Sequence, residues 1–176
     1  MSDLDRIVEA MTTRYFGKYR GEVTGVDDPT RRGRVKVIVP AVMGEREVWA
    51  MPCAPYAGRA LGIFAVPPVG TGVWVEFEGG EINQPICAGC FWGSGEIDAA
   101  DAKESVFFIR TGGLTIRVDN ASGEVTIESG AGPKVTLSSD GIKLEATKIE
   151  LSAGGASATL SATGFDAMSG ALTVGP

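Results

Sequence analysis

A run of very short alternating segments in the second half restricts this chain most. Leu114, Ile116 and Val118 alternate with Thr115 and Arg117, and Val125 and Ile127, Val135 and Leu137, Ile142 and Leu144, and Ile149 and Leu151 repeat the pattern. A period of two marks strands with one apolar face. Turn-forming residues separate them, including Asp119–Gly123, Gly130–Pro133 and Asp140-Gly141. Glycine supplies 25 of 176 residues, about twice the usual ~7%. With no Gly-X-Y period, that excess means many tight turns between many short strands.

Strands with two aliphatics each, and almost no aromatic bulk, cannot readily bury a core in one copy. A domain of ~70 residues is marginal even with an ordinary core. The pattern predicts that identical chains wrap together, so that copies of each aliphatic meet on an axis. Ser152–Gly164 is nearly all Ser, Ala, Gly and Thr around Leu160, which predicts narrowing toward the C-terminus. The expected structure is a tapering, intertwined trimeric β-prism with Leu114, Ile116, Val118, Val125, Ile127, Val135, Leu137, Ile142, Leu144, Ile149, Leu151 and Leu160 inside. A single-chain β-sandwich is the alternative.

The first half has different chemistry. Residues 1–95 hold 10 of the 13 aromatics and are nearly charge-balanced, with 10 Lys/Arg against 11 Asp/Glu; the remainder has 6 against 11. The expected organisation is an N-terminal helix at 1–16, a barrel at 17–95, a linker at 96–105 and the prism at 106–176. Leu4, Ile7, Val8 and Met11 fall on one helical face, with Ser2 as candidate N-cap and Asp3 and Asp5 in the first turn. That stripe covers a neighbouring core or docks on a partner. Strands follow at Tyr19–Asp27, Arg34–Val39, Val48–Cys53, Val73–Glu78 and Pro85–Trp92, with a Gly/Pro-rich loop at Ala54–Gly72. Five short strands in so few residues suit a small closed Greek-key barrel, because closure removes exposed edges. The fold class is all-β.

Several functions are excluded or weakened. The chain contains no histidine, which removes Ser-His-Asp and Cys-His hydrolases and His-ligated metal sites. No cofactor or metal is expected. No apolar run nears the ~20 residues of a membrane-spanning helix, and no secretory signal is visible. Cys87 and Cys90, three apart on a strand, point to opposite faces; with Cys53 they read as buried structural thiols. Glu76, Glu78 and Glu81 could mimic a glycosidase carboxylate pair, but an exposed strand face explains them. Gly130-Ala131-Gly132-Pro133-Lys134 lacks the P-loop spacing, and its proline removes an amide a phosphate cradle would use. Arg31, Arg32, Arg34 and Lys36 form the only basic cluster. It is local, and a net charge of −6 argues against nucleic acid as a partner.

Tyr19-Arg20-Gly21-Glu22-Val23, Asp28-Pro29 and Gly33-Arg34-Val35-Lys36-Val37 to Pro40 resemble the opening of the phage baseplate assembly protein V family. The same module begins the spike of VgrG proteins in type VI secretion. Trp49-Ala50, Pro67-Pro68-Val69-Gly70-Thr71-Gly72, Val73–Gly80 and Gln84–Gly89 match the rest in order and spacing. The resemblance implies an OB-fold followed by a triple-stranded β-helix needle, assembled as a homotrimer. It implies a central spike that seats on a baseplate hub and punctures the target cell envelope. Arg31, Arg32, Arg34 and Lys36 are then candidates for a hub-facing surface. Some relatives bind iron at the tip through His-x-His, which this chain lacks; Leu172 and Val174 could instead meet a separate PAAR-type cap. The implied location is the virion tail baseplate or an assembled injection particle, made in the cytoplasm of the producing cell. A single-stranded nucleic-acid-binding OB protein and a trimeric fibre or adhesin module are the competing classes.

Overall fold

The computed structural model describes Leu4, Val8, residues 12–167 and the backbone of 172–174. It divides into two compact units between Glu96 and Ile97. Leu4, Val8, Thr12 and Thr13 are helical. The rest of the expected helical face, Ile7 and Met11, lies outside the described residues, as do Ser2, Asp3 and Asp5.

In the first unit β1 (Tyr19–Gly25), β2 (Val35–Val39), β3 (Gly44–Pro52), β6 (Gly72–Phe77) and β7 (Pro85–Cys90) close into a barrel of order β1-β2-β3-β7-β6. Neighbours are antiparallel except β3 and β7, which run parallel through Met51↔Ile86 and Pro52↔Cys87. Alternation sets the inner face. Val35, Val37 and Val39 of β2, and Val73, Val75 and Phe77 of β6, join Val23, Ala50 and Cys87 in the core. β-Branched residues fit because a small barrel has room for one stiff side chain per inward position. Gly21 leaves no room for a side chain, since a Cβ there would lie 2.8 Å from the Ile38 carbonyl oxygen and 3.0 Å from a Val75 methyl.

Two local features were not foreseen. A one-turn helix, Pro40–Met43, joins β2 to β3, with proline in its first turn and Gly44 at φ 57° ending it. Its Val42 and Met43 pack against the core, which apolar residues without period-two alternation do not announce. The long loop also carries a small hairpin, β4 (Ala57–Gly58) and β5 (Leu61–Gly62).

The second unit is two antiparallel meanders. The first runs in order β12-β11-β10-β9-β8 and consists of β8 (Val106–Arg110), β9 (Leu114–Asp119), β10 (Glu124–Ser129), β11 (Lys134–Ser138) and β12 (Gly141–Glu145). The second comprises β13 (Lys148–Ala153), β14 (Ala156–Ser161), β15 (Gly164–Ala167) and β16 (Leu172–Val174), paired in that order.

Candidate functional site

Register decides what the second unit presents. Pairing aligns Phe107, Val118, Val125, Leu137 and Ile142 in one row across five strands, and Ile109, Ile116, Ile127, Val135 and Leu144 in the next. In the second meander Ile149, Leu160, Phe165 and Val174 align, beside Leu151, Ala158, Ala167 and Leu172. A one-residue slip would scatter these rows onto both faces. Every expected prism residue from Leu114 to Leu160 thus stands on one face of its sheet. The side chains of Leu172 and Val174 lie outside the described residues, so only their backbone register is fixed.

That face is uncovered. Ile142 is 72% exposed, Leu151 66% and Phe107 57%. All the buried apolar residues described lie in the barrel, whereas Asp101 and Thr126 are the buried residues of the second unit. Burial is therefore inverted at its extremes: the two buried residues are polar, while aliphatics such as Ile142 and Leu151 face solvent. A contiguous exposed apolar patch of this extent marks an interaction surface.

The opposite face is held by charge. Rows across it read Phe108, Arg117, Thr126, Thr136 and Lys143, then Arg110, Thr115, Glu128, Lys134 and Glu145. Asp101, in the turn-rich segment before β8, accepts from Arg110 Nη2 at 2.7 Å and Arg117 Nε at 3.0 Å. Arg117 also donates to Asp119 at 3.1 Å. The Arg110 and Arg117 guanidiniums hold the Asp101 carboxyl below its usual range. This fastening joins residues 9 and 16 positions apart, which no sequence period reveals.

On the barrel, two of the four basic residues, Arg34 and Lys36, are occupied internally. Asp28 accepts from the Thr30, Arg32 and Arg34 amides, the Thr30 hydroxyl, and Arg34 Nε and Nη2 at 3.0 and 2.7 Å. The Arg34 guanidinium, with these amides, holds the Asp28 carboxyl far below the ordinary carboxylate range. Arg34 and Lys36 both lie over the Trp49 ring at 5.3 Å, and Lys36 reaches Glu47 at 3.5 Å. Arg31, at φ 54°, and Arg32 border a cavity of about 580 Å³ lined chiefly by apolar residues of the 52–67 loop. Of the four, only Arg31 and Arg32 have no ion pair among the described residues.

Other candidates resolve as structure. Glu76 pairs with Lys18 at 2.6 Å and Glu81 with Arg14 at 3.4 Å on exposed surface. Residues 130–133 make the β10–β11 turn, closed by Ser129 N to Pro133 O at 3.0 Å, and Lys134 begins β11. The thiols need a correction: Cys87 alone is buried, while Cys53 and Cys90 are exposed. Cys53 lies just beyond β3, and Cys90 is the last residue of β7, after the register shift opposite Trp74/Val75. Burial raises the Cys87 and Cys90 pKa values, so neither is an activated thiolate. Among the described residues no cluster of His, Cys, Asp or Glu could hold a metal ion.

The barrel's order, with the third and fifth of its five strands parallel, is that of an OB-fold. No curated protein matches the chain. Residues 19–92, which span the whole barrel, match the family described as type VI secretion system/phage-baseplate injector OB domain.

Proposed function

We propose that this protein is the central spike of a contractile phage tail or related injection system. Three copies seat by their OB-folds on a baseplate hub, and their second units wrap into a tapered β-prism that punctures the target envelope. The observation that carries this reading is the inverted burial of the second unit. Two aligned rows of aliphatics stand open along each sheet, and a second and third copy would cover them. Enclosed in this way, the rows form the core that one chain lacks. The polar rows then face outward and keep the shaft soluble. The nucleic-acid alternative loses support because Arg34 and Lys36 are paired and stacked within the chain, leaving little of the basic groove such binding needs.

The work of such an object lies in stiffness. Interchain ladders leave few open edges, and unwinding breaks many contacts together, so slow unfolding is the useful property. A PAAR-type cap over Leu172 and Val174 would complete the tip. Light scattering tests the assembly. Three chains of 18.3 kDa give about 55 kDa, accompanied by resistance to denaturing detergent on an unheated gel. A clean single-chain mass overturns the proposal.

A further inference from the structure

We infer that the chain changes partner at Ala146–Thr147, and that the open edge of β12 is completed by β13 of a second copy. The inference rests on the homotrimer proposed above and locates where one copy hands over to the next.

Four two-residue junctions occur after β11, and three of them close as hairpins. Ser139-Asp140 is followed by Gly141 at φ 132°, and Ala162-Thr163 by Gly164 at φ 128°. Gly154-Gly155 are both at positive φ, 54° and 89°. In each case glycine supplies the backbone conformation that brings the next strand back onto the last. The remaining junction, Glu145-Ala146-Thr147-Lys148, has no glycine in the loop or directly after it. Its strands do not pair: β12 ends the first sheet, β13 begins the second, and no ladder joins them among the described residues. Adjacent strands so closely linked normally pair, so this break is a specific feature of the sequence.

Both edges suit an added strand. All five residues of β12 are exposed, and β13 is exposed apart from half-buried Ile149. The apolar rows end on Ile142 and Leu144. If the added β13 continues them with Ile149 and Leu151, Lys143 falls opposite Glu150 whichever way that strand runs. Within one chain Lys143 pairs with Glu145 at 2.7 Å and Lys148 pairs with Glu150. Both are neighbours along one strand, so each charge can also face across to a partner strand. Apolar continuity and opposite charge therefore agree on one occupant, the β13 of another copy.

The test is a disulfide at that pair. Lys143→Cys and Glu150→Cys are combined in the full chain with Cys53, Cys87 and Cys90 replaced by serine or alanine, and the protein is mildly oxidised. The expected result on a heated non-reducing gel is a ladder ending at three covalently joined chains, absent from either single variant. An assembly of about 55 kDa by light scattering that yields only an intrachain 143–150 disulfide, or none, overturns this inference while leaving the trimer intact. A single-chain mass overturns both. If the cysteine-free chain does not assemble, charge reversal in the native background decides. Lys143→Glu and Glu150→Lys should each weaken the assembly, and together they should weaken it less than their separate effects combined. Simple additivity would refute the pairing.

Discussion

Replacing Ile142 with aspartate separates an isolated sheet from an assembled prism, because the two make opposite demands on that position. In one chain Ile142 is 72% exposed, and a surface substitution there should change stability by only about 0.5 kcal/mol. In the prism the unburied fraction is what assembly covers. Full burial of an isoleucine side chain contributes ~1.5–3 kcal/mol, so the uncovered share amounts to about 1–2 kcal/mol per chain and ~3–6 per trimer. Aspartate forfeits that and brings three carboxylates together on the axis, each costing several kcal/mol when unpaired in an apolar site. Assembly should therefore be abolished, with the product monomeric or insoluble by light scattering. Thr136→Asp is the control. It lies on the opposite face, next to Lys143 in the same cross-strand row, and should leave the mass near three chains. Soluble trimer from Ile142→Asp at wild-type yield would refute the assignment of the inner face.

Two further outcomes concern the barrel, which contains Trp49, Trp74 and Trp92, the only tryptophans of the chain, so that intrinsic fluorescence reports on it alone. Asp28 is depressed in the folded state, so its stabilisation is present above the unfolded carboxylate value of about 3.9 and is lost as pH falls through that value toward the folded one. The barrel should weaken below about pH 4, and Asp28→Asn should be less stable at pH 7 with a shallower acid decline; equal acid slopes would exclude Asp28 as the cause. Val75→Ala removes two methyl groups from a fully buried site and should cost the barrel about 2 kcal/mol, seen as an earlier fluorescence transition with the assembled mass unchanged.

The sequence made some of this plain and left other parts hidden, for identifiable reasons. Val35, Val37 and Val39 alternate strictly and occupy one buried face, because period two is a direct consequence of the pleat. The apolar rows of the second unit were legible for the same reason from Leu114 onward. β8 was not, since Val106-Phe107-Phe108-Ile109 is a continuous apolar run in which only register assigns Phe107 and Ile109 to one face and Phe108 to the other. The turn at residues 28–33 was evident from composition. That one carboxylate organises it, taking Arg34 away from the basic cluster, depends on geometry six residues apart. The Asp101 fastening lies further out of reach, since its partners meet only after β8 and β9 pair.

The two meanders differ in a way that bears on shape. In the first, both apolar rows are built of Phe, Ile, Val and Leu throughout. In the second, one row keeps Ile149, Leu160 and Phe165, while its neighbour carries Ala158 and Ala167 between Leu151 and Leu172. If three copies face one another as proposed, three alanines fill far less space than three leucines, so close packing would bring the sheets nearer to one another there. The proposed taper would then follow from side-chain volume, row by row. In that assembly the prevalence of Ser, Ala and Gly after residue 152 would let three backbones converge without leaving voids, which would cost stability in proportion to their volume.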